Sequence, residues 1–151
     1  MDFLLEFRYG LPRRFYTLLD ASYAVGFSKF LLHELGIIPA KQFIVDNTPG
    51  KFQGAISEQF AHISALRSAE VAFLTDGGAI QEEIRADENK NRALILGSAW
   101  ERELAKNLGA DLLILSVPVT YRLVLSCAYA GYRGGIRAIE DIYGRVLDTY
   151  R

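Results

Sequence analysis

Apolar residues along this chain fall into two alternating patterns. Short runs are apolar almost throughout, while longer stretches repeat apolar residues at helical spacing. Residues 14–20 form the first β-rich run, which ends on a polar residue. Ser22 can cap the helix that follows. On that helix Ala24, Phe27, Leu31 and Leu35 share a face, and Val25 and Leu32 widen it. Gly36, then Pro39, mark its end. The plan repeats. Residues 42–46 read as a second strand, 47–50 as a turn, and 52–64 as a helix with Phe52, Ile56, Phe60 and Ile63 on one face. Residues 71–76 are the third strand, Gly77-Gly78 opens a helix through Ile84, and 87–92 is a charged loop. Residues 93–96 are the fourth strand, broken by Gly97-Ser98. The next helix carries Trp100, Leu104 and Leu108 on one face and stops at Gly109. Residues 111–117 are the fifth strand, ended by Pro118. A long final helix has the stripe Tyr132, Ile136, Ile139, Tyr143, Val146 and Tyr150, and Gly131, Gly134 and Gly135 at its start permit close backbone packing.

Strands that are apolar on both faces belong to parallel sheets covered by helices. The expected fold is therefore α/β: a three-layer, Rossmann-like, doubly wound parallel sheet of about five strands with a long C-terminal helix. The strand order expected for it is 3-2-1-4-5, which would put a crevice between the ends of strands one and four. Its lips are Asp20-Ala21-Ser22 and Gly97-Ser98-Ala99. Residues 1–12 fit this plan poorly and read as an N-terminal strap or the stub of a preceding segment; 13–151 read as one domain.

Composition narrows the chemistry. A chain of 151 residues is one domain's worth and can bury a core without disulfides or metal. Half the residues are hydrophobic and 23% are charged, which excludes disorder. A net charge of −1 offers no general attraction for nucleic acid or anionic membranes. The single cysteine, Cys127, excludes an internal disulfide and a cysteine-only metal site, and it fits the cytoplasm. Residues 1–10 lack the basic start of a signal peptide, and the longest apolar runs, near residues 112–115, are too short to span a membrane.

Candidate chemistry is sparse. A dinucleotide site wants G-x-G-x-x-G after the first strand. Here the turn is Asp20-Ala21-Ser22-Tyr23 with only Gly26 beyond it, which argues against a nicotinamide or flavin enzyme. Asp76-Gly77-Gly78 reads as a plain strand-to-helix turn. Asp20, Asp46 and Asp76 end three successive strands and read as helix caps in preference to a carboxylate cluster. His33 and His62 have no second ligand at helical spacing and read as surface or satisfied structural histidines. Cys127 lies between the last strand and last helix, where Arg122 or Arg133 could favour a thiolate; its plainer reading is a small buried hydrophobe. The crevice-lining candidates are thus Asp20, Ser22, Gly97, Ser98 and Cys127, with no catalytic or metal-ligating residue assigned.

Several segments together resemble one family. Residues 20–36, DASYAVGFSKFLLHELG, resemble the first strand-turn-helix of the third domain of nitrogenase component 1 subunits. Leu94-Ile95-Leu96-Gly97-Ser98 with its helix to Gly109 resembles a later strand and small-residue turn of that domain. Residues 112–118, then Ala130-Gly131-Tyr132-Arg133-Gly134-Gly135, resemble its strand-to-proline segment and the start of its C-terminal helix. The resemblance implies the C-terminal domain of a nitrogenase-like oxidoreductase subunit. Such a domain shapes a metal-cluster or substrate cavity and subunit contacts and is not catalytic alone. An iron–sulfur or other metal cluster is implied for the full assembly, with none bound by this chain alone. The implied partners are other domains of the same subunit, a related second subunit, and an ATP-dependent iron protein as electron donor. The isolated domain is expected to self-associate.

The chain departs from the cofactor-binding members of the family. They carry an arginine after the first strand, a lysine after the small-residue turn, and a cluster-ligating histidine before the C-terminal helix. This chain has Asp20-Ala21-Ser22-Tyr23, Trp100, and no histidine after His62. A competing reading is therefore a stand-alone α/β module that binds a small anion or acts as a scaffold, without redox activity.

Overall fold

The computed structural model describes residues 9–88, 90, 92–120 and 128–149. The strands β1 (Arg14–Leu19), β2 (Ile38–Ile44), β3 (Glu70–Phe73), β4 (Leu94–Gly97) and β5 (Asp111–Ile114) form one parallel sheet in the order β3-β2-β1-β4-β5. This is the order expected from the sequence. The helices are α1 (Ala21–Leu35), α2 (Gly50–Ala61), α3 (Gly77–Ala86), α4 (Arg102–Leu108), which follows a short 3-10 turn (Ala99–Glu101), and α5 (Gly131–Thr149).

Side chains alternate across each strand, so a doubly apolar strand feeds two cores. Phe15, Leu19, Ile44, Leu94 and Leu96 meet Phe27 and Leu31 of α1, Phe60 of α2 and Ile142 of α5. On the other face, Tyr16, Leu18, Phe43 and Ile95 meet Ile80 and Ile84 of α3 and Leu104 of α4. The result is three layers, with α1, α2 and α5 on one side and α3 and α4 on the other. A buried polar group interrupts the first core. Thr17 Oγ1 and Ser28 Oγ donate to Gln42 Oε1 at 2.9 and 3.2 Å, and Gln42 Nε2 donates to the Phe15 carbonyl at 3.4 Å. The group ties β1, β2 and α1 together with its hydrogen bonds made.

Three elements differ from the sequence expectation. β2 begins at Ile38, with Pro39 inside it. The Ile38 N–H donates to Arg13 of the chain leading into β1, and β3 joins β2 only from Lys41 onward. The proline nitrogen therefore lies where β3 has no strand to pair. β5 stops at Ile114, because the N–H groups of Leu115 and Ser116 both turn to the Gly97 carbonyl. The stripe expected on α5 holds at Tyr143 and Val146, which are buried with Ala138 and Ile142, but not at the start of the helix, where Tyr132 is 99% and Ile136 62% exposed. Tyr150 lies outside the described residues. No helix among the described residues is long and apolar enough to cross a membrane.

Candidate functional site

The order in which strands are added to the sheet reverses between β1 and β4, which run parallel. β1 leads through α1 on one face, and β4 leads through α4 on the other, so the two turns diverge at the carboxyl ends of adjacent strands. In open α/β sheets this divergence is where ligands bind.

The β1 lip is held by two aspartates. Asp20, in extended conformation, is the N-cap of α1, and its Oδ1 accepts from the N–H groups of Ser22 and Tyr23 at 3.0 and 3.1 Å. Ser22 is not the cap, because the extended residue that can fold a side chain back onto the first turn lies two positions earlier. Asp46, at the end of β2, does not cap α2, whose N-cap is Pro49. It reaches across instead, and its Oδ2 accepts the Ala21 N–H at 3.1 Å while Oδ1 accepts the Thr48 hydroxyl. Asp76 caps α3 as expected, accepting from Gly78 and Ala79.

The β4 lip is a capping box. Glu101 is only 5% exposed, and its Oε2 accepts the Ser98 N–H at 2.6 Å and the Ser98 hydroxyl at 2.8 Å. Ser98 Oγ accepts the Trp100 N–H at 3.1 Å, and the Ala99 N–H donates to the Pro118 carbonyl at 2.9 Å. The box turns Glu101 inward and leaves Trp100 74% exposed, contrary to its expected place on a buried helix face. Every backbone N–H of residues 21–24 and 98–101 thus has an acceptor within the chain.

The structure brings Asp20, Gly97 and Ser98 to the two lips. Ser22 lies beside them and faces a different feature, an apolar cleft of about 400 Å3 between α1 and the start of α5. Its walls include Tyr23, Phe27, Phe30 and Tyr129. Tyr129 is held there by its hydroxyl, which donates to Asp141 at 2.6 Å. Gly134 permits this, since a Cβ there would lie 2.2 Å from the Tyr129 carbonyl carbon. Cys127, the remaining candidate, and Arg122 lie outside the described residues. His33 Nε2 sits 2.9 Å from the Ile63 carbonyl and links α1 to the end of α2, a structural role.

Sequence reasoning missed Glu101 and the inter-strand reach of Asp46. Ser98-Ala99-Trp100-Glu101 is an S-x-x-E pattern, which signals a capping box without any structure. Asp46 carried no such signal. A second polar cluster lies at the opposite, amino end of the sheet. Burial and then the 2.5 Å hydrogen bond to Asp87 push the Tyr16 hydroxyl well above its usual range. Lys41 bridges Glu70 and Glu83 at 2.8 and 2.7 Å, and those contacts, Glu70 first, raise its pKa. The cluster pins α3 to the sheet at the end away from the crevice.

The family model for nitrogenase component 1 type oxidoreductases matches residues 7–147. The chain belongs to this family. Its fold is similar to a solved structure of nitrogenase Cp1 at pH 6.5, with a TM-score of 0.74 and 25% sequence identity over 95% of this chain. The chain spans 30% of the length of that relative. No curated protein matches the sequence. Membership implies metal clusters in the full assembly. Among the described residues, however, no three or more His, Cys, Asp or Glu side chains converge as a metal-binding group. The lips present carboxylates and engaged N–H groups, so the described residues do not fit a cluster at this crevice.

Proposed function

We propose that this chain is the C-terminal Rossmann-like domain of a nitrogenase-like component 1 oxidoreductase subunit. It forms part of the wall of a metal-cluster or substrate cavity, makes subunit contacts, and is not catalytic alone. The observation that carries this reading is the family match over residues 7–147, joined to a span of only 30% of a relative's length. In this reading residues 13–151 are one domain and 1–12 are an N-terminal strap or the stub of a preceding segment. Other domains of the subunit and a related second subunit hold the iron–sulfur or other clusters, and an ATP-dependent iron protein delivers electrons in the cytoplasm. Several exposed large hydrophobics, Tyr23, Trp100, Val117 and Tyr132, follow β1, β4 and β5, while others such as Leu66 lie elsewhere; such exposure suits covering by other polypeptide and self-association when the chain is alone. The stand-alone anion-binding reading needs free donors at the lips, and the N–H groups there are engaged.

The test is anaerobic purification through a tag added to the native gene, followed by mass spectrometry, iron analysis and electron paramagnetic resonance. The expected result is this sequence joined to, or tightly bound with, component 1 type polypeptide bearing cluster-ligating cysteines, with stoichiometric iron. Recovery of the 151 residues alone and free of iron would overturn the proposal.

A further inference from the structure

We infer that the described lips of the switch-point crevice, residues 20–24 and 97–101, are closed to anionic ligands by the chain's own carboxylates, Asp20, Asp46 and Glu101. The inference rests on the local geometry for what the crevice refuses.

A cluster built from iron, sulfide and thiolate carries net negative charge, as does a phosphate or an oxyanion. A strand-to-helix turn receives such a group through free backbone N–H donors, small residues that let it approach, and a nearby cation. The β4 turn has the small residues, Gly97, Ser98 and Ala99, but the approach is already taken. Glu101 Oε2 would lie 2.7 Å from a Cβ on Gly97, so the carboxylate rests directly over the glycine. From there it accepts both the N–H and the hydroxyl of Ser98 at 2.6 and 2.8 Å. At the β1 turn, Asp20 takes the N–H groups of Ser22 and Tyr23, and Asp46 takes that of Ala21. An incoming anion would have to displace these acceptors and then sit among their negative charges. The turns retain the backbone plan of an anion cradle, with the anion supplied internally by side chains.

The test uses the isotopically labelled chain, with amide resonances followed during titration with inorganic phosphate and, separately, molybdate. The amides of residues 21–23 and 98–101 are expected to stay unmoved. Saturable shifts at those amides would overturn the inference. Amide hydrogen exchange in Glu101→Gln supplies a positive readout. Neutralising the acceptor of a charge-assisted bond is expected to speed exchange at Ser98 by roughly tenfold or more. Exchange at the wild-type rate would show that the carboxylate does not hold the turn, and would equally overturn the inference. Failure here leaves the iron and polypeptide content of the native assembly untouched, so it is distinguishable from failure of the functional proposal.

Discussion

Gly97 and Glu101 constrain one another. The glutamate can occupy its buried position because residue 97 has no side chain, and the turn keeps its shape because the glutamate is there. In Gly97→Ala the new Cβ would lie 2.7 Å from Oε2. Rotation of the flexible glutamate relieves the clash, but its hold on Ser98 is then lost in a buried setting. The expected cost is about 1–3 kcal/mol, read as a lower urea midpoint with an unchanged slope. A wild-type midpoint would mean that the carboxylate contributes little. At this scale the sequence was partly legible. Asp20 and Asp76 were readable as caps because capping depends on a few consecutive residues. Ser22 misled because it too is a good capping residue, and only the backbone angle at Asp20 separates the two.

Among the elements, α5 was found, but its facing was right only in its later half, at Tyr143 and Val146. The stripe that begins with Tyr132 and Ile136 fits helical spacing, yet the buried line is displaced there by contacts from elsewhere in the chain. Gly134 sits under the Tyr129 backbone and Gly135 against the Phe30 ring, so the small side of the helix faces inward. Gly134→Ala would place a Cβ 2.2 Å from the Tyr129 carbonyl carbon and 2.5 Å from its oxygen. Backbone cannot step aside as a side chain can. The turn before α5 is expected to lift, breaking the Tyr129–Asp141 hydrogen bond and destabilising the protein by about 1–3 kcal/mol. Gly54→Ala, in the middle of α2 with nothing within 4 Å of the new Cβ, should instead stabilise by about 0.5–1 kcal/mol. Thermal denaturation of the pair distinguishes a glycine required by packing from one that is not. Equal shifts would contradict the assignment. β2 shows the same limit. Its early start at Ile38 depends on which neighbour is present beside Pro39, and a local pattern does not contain that.

Across the whole molecule, the amino end of the sheet is expected to set the alkaline limit of stability. Lys41 is held above its ordinary value of 10.5 by Glu70 and Glu83, and Tyr16 is held above its ordinary 10.0 by burial and Asp87. For a group whose folded pKa is raised, the linked stability is fully present below the unfolded value and is lost as pH rises through the folded one. Stability from both groups should therefore be level through neutral pH and fall above about pH 10. Urea midpoints at about pH 8 and pH 11 check this, with a smaller fall expected in Lys41→Met and Tyr16→Phe. An equal fall in those variants would place the alkaline limit elsewhere.

The sequence by itself determined the layered α/β fold, and the strand order and crevice expected for such a fold are those observed. The layering follows from periodicity and from the handedness of parallel connections, which are properties of short segments repeated along the chain. The sequence also carried the family, through segments spread in order along the domain. Only the tertiary structure decided what occupies the crevice. Asp46 reaches Ala21 across 25 residues, and the Ala99 N–H is taken by the Pro118 carbonyl. Whether a donor is free or already engaged depends on groups distant in sequence and close in space. That closeness turns a glycine-serine turn that reads as a candidate binding lip into one already filled by the chain's own carboxylates.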